Sequence, residues 1–210
     1  MQNDPLQTLG SIPFDLSILS SLYPDCAFIN DKARRLEAEG RIVRLKKGLY
    51  VAKNDEKNIS LELIANHLYG PSYVSMSWAL SHYGLIPERV YLIQSMTTKH
   101  SRNFTNPYGS FQYKSCSKDY FPIGITQLKH ENMSFLMATP EKALCDYISH
   151  HALKLRFVKE IGPWLEEDLR FEMETLPELN LEIIAQCAEK GKNSHSILTL
   201  LKFLQNERHI

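Results

Sequence analysis

Residues 30–51 read NDKARRLEAEGRIVRLKKGLYV, a basic helical stretch that runs through one glycine into a basic strand, a tight turn and a second strand. The helix is expected from its start: Asn30 offers a side-chain oxygen to first-turn amides, and Asp31 places an anion at the positive end of the dipole. Ile29, Ala33 and Leu36 fall at helical spacing and would pack inward, while Lys32 and Arg35 share another face. Gly40 stops the helix. RIVRL and LYV then carry the β-branched and aromatic residues that suit strands, and Lys47-Gly48 between them is the expected hairpin tip, because glycine tolerates positive φ. Helix, turn and hairpin in this order read as a winged helix-turn-helix.

Charge points the same way. From Asp31 to Lys53 there are eight Lys or Arg and three acids, a local net charge of +5 and an electrostatic footprint for phosphate. In a winged arrangement the helix enters the major groove, and Arg41, Arg44, Lys46 and Lys47 are expected mainly on phosphates, which position a protein without reading sequence. With Lys32, Arg34 and Arg35 they form the expected DNA-binding set. A soluble basic surface is the competing reading of the same charges. Upstream, Pro5, Pro13 and Pro24 break the chain and leave Phe14 to Tyr23 as one expected short amphipathic helix.

The 210 residues carry 24 Lys or Arg and 24 Asp or Glu, so whole-chain charge alone would never suggest nucleic acid. Its distribution does. Residues 160–182 hold eight acids and one base, a net −7, which would keep the C-terminal region off DNA or simply form a solvated helix face. Cys26, Cys116, Cys145 and Cys187 are scattered, with no CxxC pair and no histidines at zinc-ligand spacing, so reduced thiols in a cytoplasmic protein are expected. No apolar run reaches membrane-spanning length, and no membrane partner is expected.

The expected fold class is α+β: an N-terminal winged helix-turn-helix over 1–53, then a mixed α/β domain over 59–210 with a helical C-terminal region. KNDEKN at 53–58 reads as a polar hinge. Beyond it, helices are expected over Ser60 to Tyr69 and over Ser72 to Tyr83, the second capped by Ser72 and closed by Gly84. Strand-like runs follow at 90–98, 110–116, 121–127 and 134–138, enough for a small mixed or antiparallel sheet by about residue 150. Thr139-Pro140-Glu141 opens a helix with inner face Ala143, Leu144, Tyr147 and Ile148. Residues 151–210 read as about three helices separated by Gly162-Pro163, Pro177 and Gly191-Lys192-Asn193.

Enzyme signatures do not assemble. The one Asp/Glu-x-Lys that a restriction-type nuclease would need is Asp55-Glu56-Lys57 in the hinge, and neither Gly10-Ser11 nor Gly109-Ser110 is followed by the paired acids of a nucleotidyltransferase. There is no HExxH and no Gly-x-Ser-x-Gly elbow, Cys145 falls on the inner side of its helix, and His150-His151 reads as a dipole partner at a helix end. No catalytic residue, cofactor or metal ligand is expected. A ligand pocket lined by Tyr69, Tyr73, Trp78, Tyr83 and Tyr91 is an alternative use of the second domain, with core packing the competing reading of those rings.

Three separated segments, RIVRLKKGLYV, YVSMSWALSHYGLIPERVYLIQSMTT and ATPEKALCDYI, occur in an order that resembles the AbiEi-type antitoxins of type IV toxin-antitoxin (abortive infection) systems. They span roughly residues 25–150. The resemblance implies a bacterial transcriptional autorepressor whose winged helix binds inverted repeats in its own promoter. It also implies a C-terminal domain that counteracts a nucleotidyltransferase-fold toxin without forming a stable complex with it. The family's DNA-binding function is carried over to Lys32, Arg34, Arg35, Arg41, Arg44, Lys46 and Lys47. A plain winged-helix regulator with a ligand- or partner-sensing second domain is the alternative; a nuclease-like phage-defence enzyme is the third.

Overall fold

The computed structural model describes residues 4–53, 59–131 and 133–208 as a mixed α/β chain with two sheets. A 3-10 turn at Pro5–Leu9 leads into β1 (Phe14–Asp15), α1 (Leu16–Leu22), α2 (Ile29–Ala38), β2 (Ile42–Lys46) and β3 (Leu49–Ala52). β3 is the central strand of this three-stranded sheet, pairing antiparallel with both β1 and β2. The expected helix over Phe14 to Tyr23 is therefore shorter. Phe14 and Asp15 extend to pair with Tyr50 and Leu49, and the Asp15 carboxylate caps α1 by accepting from the amides of Ser17 and Ile18 at 2.9 and 3.0 Å.

The β2–β3 hairpin is buried on both faces. Ile42, Tyr50 and Ala52 pack into one core with Leu6, Phe14, Leu19, Ala33 and Leu36. Leu45, Leu49 and Val51 belong to a second core built from the rest of the chain. This two-sided demand explains why all four residues of β3 are apolar and buried, without the alternation of a half-exposed strand. The expected hinge at 53–58 lies outside the described residues except for Lys53, an exposed residue just past β3.

The second core surrounds a mixed six-stranded sheet ordered β6-β7-β5-β4-β9-β8. Its strands are β4 (Ser72–Val74), β5 (Leu92–Thr97), β6 (Arg102–Asn106), β7 (Gly109–Ser115), β8 (Ile125–His130) and β9 (Met133–Ala138), with β6 and β8 at the edges. β5 and β7 run parallel, as do β4 and β9. β4 reaches β9 through one paired position, Val74 with Met137, and beside it the Asn66 side chain takes over the ladder. Its oxygen accepts from the Leu136 amide at 2.6 Å, and its nitrogen donates to the Leu136 carbonyl at 3.2 Å.

α3 (Leu61–Leu68) falls within the helix expected over Ser60 to Tyr69, and Ser60 caps it, its hydroxyl accepting from the Leu63 amide at 3.1 Å. The expected helix over Ser72 to Tyr83 is corrected to strand β4 followed by α4 (Met76–His82). Ser72 pairs with Thr97 on β5 and caps nothing. The Ser77 amide at the start of α4 is satisfied by the Gln94 side chain at 3.2 Å. The expected strand at 121–127 begins only at Ile125, because residues 119–124 turn.

α5 (Pro140–His150) begins where Thr139-Pro140-Glu141 places it, although the Thr139 hydroxyl makes no cap bond, and it is buried nearly all round: Lys142, Cys145 and Asp146 are inside, and Tyr147 is half-buried. Gly162-Pro163 does not separate helices. It lies inside a short helix, α6 (Ile161–Pro163), that continues as a π-helical turn over Trp164–Asp168. Pro177 sits inside a 3-10 turn (Met173–Glu178), while Gly191-Lys192-Asn193 does divide α7 (Leu181–Lys190) from α8 (Ser194–Glu207). No helix among the described residues is long and apolar enough to cross a membrane.

Candidate nucleic-acid interface

α2 begins two residues earlier than Asn30 would set it, with Phe28 as the N-cap residue and no side-chain cap. Asp31 remains in the first turn. The helix ends as the sequence dictates. Gly40 takes φ +69°, its amide bonds the Glu37 carbonyl at 3.0 Å, and the Arg41 amide bonds the Leu36 carbonyl at 2.9 Å. That pair of bonds is a Schellman closure, and it aims the chain into β2. Gly48, at φ +78°, makes the tight turn between β2 and β3, with Lys47 exposed beside it.

Ala33 and Leu36 are fully buried and Ile29 packs beside them, so α2 turns Phe28, Lys32 and Arg35 outward at i, i+4 and i+7. Phe28 is 74 % exposed. Lys32 sits over the Tyr23 ring, 4.5 Å from its centroid. These residues border an open groove of about 1090 Å³ that also takes in Asp4, Asp25 and Asp31. Phe28 was missed in the sequence because it precedes the helix and belongs to neither the apolar stripe nor the basic count; its only signal was a large aromatic off the inward periodicity.

The seven expected DNA-binding cations divide by what already holds them. Arg34 pairs with Asp31 at 3.3 Å, Arg44 with Glu37 at 2.6 Å, and Arg41 with Asp4 at 2.5 Å and Glu39 at 3.6 Å. All are surface pairs, worth about 0–1 kcal/mol each, so a phosphate can compete for any of these guanidinium groups. Lys46 turns inward from the hairpin and donates to the Leu68 carbonyl at the end of α3 at 2.5 Å. Burial lowers the Lys46 ammonium from its usual value, and Lys99 and Arg102 nearby lower it further. Arg35 and Lys47 are exposed and have no carboxylate within 4 Å among the described residues.

The rings of the alternative ligand pocket are not gathered. Tyr73 is fully buried against Phe121, Tyr69 packs on Phe104 and Tyr113, Trp78 donates to Glu62 at 3.0 Å, Tyr83 donates to the Ala138 carbonyl, and Tyr91 stands 74 % exposed. Core packing accounts for most of them. Asp55-Glu56-Lys57 lies outside the described residues.

A buried polar cluster escaped the sequence reading. Lys142 and Asp146, both at 0 % exposure on successive turns of α5, lie 3.7 Å apart. The Asp146 carboxylate accepts from the hydroxyls of Ser75 at 2.6 Å and Tyr120 at 2.7 Å. Lys142 donates to the Tyr120 carbonyl at 3.0 Å and lies over the Tyr120 ring. Burial raises the Asp146 carboxyl, while Lys142 and its hydroxyl donors pull it back. The readable signal was an oppositely charged i, i+4 pair in an otherwise apolar helix, which normally marks a solvated face. No protein-family model and no curated protein matches this sequence.

Proposed function

We propose that this protein is a DNA-binding transcriptional autorepressor and antitoxin of the type IV kind. Its winged helix holds inverted repeats in its own promoter, and its C-terminal domain counteracts a nucleotidyltransferase-fold toxin. The observation that carries the DNA half is the arrangement of residues 14–52: α1 and α2, then a hairpin whose β3 strand is closed by β1, with Phe28, Lys32 and Arg35 along the outward face of α2. A helix of this kind seats its exposed N-terminal face in a major groove, and the hairpin tip at Lys47 then lies along the backbone.

In this reading Lys32 and Arg35 meet base edges or flanking phosphates and Phe28 packs against a thymine methyl. Lys47 is a phosphate contact. Arg34, Arg41 and Arg44 exchange weak surface carboxylates for phosphates. Lys46 contributes through the field it shares with Lys99 and Arg102. The antitoxin half rests on the resemblance of the three sequence segments alone.

The test is fluorescence anisotropy with the DNA upstream of the protein's own gene against scrambled DNA across a salt series. Preferential binding is expected, with a log–log salt slope of about −0.9 per phosphate contact. Equal affinity for both DNAs would overturn the autorepressor reading. Growth rescue of cells expressing the neighbouring toxin tests the second half separately.

A further inference from the structure

The carboxyl ends of β5 and β7 meet the carboxyl ends of α5 and α7 around a cleft of about 360 Å³. That volume lies in the lower part of the range of small-molecule sites and exceeds what a single ion needs. Lys114 from β7, Lys190 from the end of α7 and Lys192 just past it line the cleft, and no carboxylate among the described residues does.

Two helix ends explain only part of this charge. Each contributes about half a negative charge, and Lys190 is already offset by Glu189 at 2.5 Å and by nearby Asp119. Lys114 and Lys192 have no carboxylate within 4 Å among the described residues. His150 stands beside them in the last turn of α5. Burial first, then Lys114 and neighbouring His151, push its imidazole down to about 4.

Met96 and Tyr120 give the cleft an apolar wall, and its polar side chains are held in place. Ser101 accepts from the Ser115 amide at 3.0 Å and Ser117 from the Tyr120 amide at 3.3 Å, which leaves both hydroxyl protons to donate. Ser149 donates to the Lys192 carbonyl at 2.9 Å and fixes the turn that carries that lysine. Behind the cleft, Tyr120 is anchored on Asp146, and Gly191 packs so closely that an added Cβ would fall 2.6 Å from its ring. Burial pushes the Cys116 thiol up to about 11, so this wall offers a neutral thiol and no nucleophile.

The geometry points to a binding site for a small phosphorylated molecule, with Lys114 and Lys192 on the phosphoryl oxygens and the Ser101 and Ser117 hydroxyls as further donors. It stands apart from the DNA reading, and neither depends on the other. The test is histidine NMR titration of the full chain with inorganic phosphate, a nucleoside monophosphate, a short DNA duplex, and chloride at matched ionic strength. Phosphate and the monophosphate should raise the His150 midpoint by at least one unit, which by linkage means at least tenfold tighter binding to the protonated form.

Lys114→Ala and Lys192→Ala should each weaken phosphate at least tenfold, and Lys190→Ala less than threefold. Thermal melting of each variant separates lost binding from lost structure. Chloride matching phosphate would reduce the effect to ionic screening and overturn the proposal. So would a shift produced by the duplex alone, or equal losses in all three lysine variants.

Discussion

Removing Asp146 tests the buried cluster. In Asp146→Ala the Lys142 ammonium stays at 0 % exposure, keeps the Tyr120 carbonyl at 3.0 Å, and loses the only carboxylate facing it among the described residues. The hydroxyls of Ser75 and Tyr120 lose their acceptor together. Breaking a buried pair from one side costs about 3–5 kcal/mol, and two orphaned donors place this site toward the upper end. For a chain of this size each kcal/mol lowers the melting temperature by about 2–4 °C, so a fall of roughly 10–15 °C is expected. Lys142→Met with Asp146→Leu removes both charges at nearly constant volume and leaves only the two hydroxyls without their acceptor, so it should lose less stability than Asp146→Ala alone, since apolar replacement of a buried pair is often neutral. Urea unfolding followed by Trp78 and Trp164, both in the surrounding core, completes the cycle. A single-variant loss under about 1 kcal/mol, or a double variant no better than the sum of the singles, would refute the claim that this pair is desolvated and mutually dependent.

Three further outcomes follow from particular contacts. His150 has a folded value near 4, below its usual 6.5, so the native state binds its proton less readily than the unfolded chain and stability falls as pH drops from about 6.5 toward 4. Discounted for solvent, that loss is about 1–2 kcal/mol, and a His150→Gln difference in urea midpoint that stays flat across this window would contradict it. Gly191→Ala drives a Cβ to 2.5 Å from the Cys187 carbonyl and 2.6 Å from Tyr120, with ordinary φ, so the cost is overpacking of about 1–3 kcal/mol; an unchanged melting temperature would show that the turn relaxes freely. If Phe28 covers a thymine methyl, promoter DNA with deoxyuridine should bind the wild type about fourfold more weakly per buried methyl, from about 0.8 kcal/mol for one methyl-sized group, and should bind Phe28→Ala no more weakly than thymine DNA does. Equal losses in both proteins would move the methyl contact elsewhere.

What the sequence disclosed and what it hid follow from the range of the forces involved. Gly40, Gly48 and Thr139-Pro140-Glu141 mark their turns and helix starts through backbone chemistry that acts within a few residues, and the structure has α2, the hairpin and α5 where those marks put them. Ser72-Tyr73-Val74 reads as the front of a helix because Ser72 resembles a cap; only pairing with Thr97, Met96 and Ser95, more than twenty residues away, makes it a strand. The hairpin's second buried face, through Leu45, Leu49 and Val51, was equally unreadable, since a local pattern shows that a residue is apolar and not which core receives it. Charge was the most deceptive signal. A count of +5 treats eight cations alike, whereas Arg34 is held by Asp31 on its own helix and tertiary contacts place Arg41 and Arg44 on carboxylates and Lys46 on a carbonyl, leaving Arg35 and Lys47 most available. The same blindness ran the other way in α5, where the i, i+4 spacing of Lys142 and Asp146 belongs to a solvated face in most helices and here belongs to the interior. Charge identity is local but charge availability is tertiary, so experiments on this protein discriminate best where they compare residues that a sequence counts as equal: Arg35 with Arg44 on DNA, and Lys192 with Lys190 in the cleft.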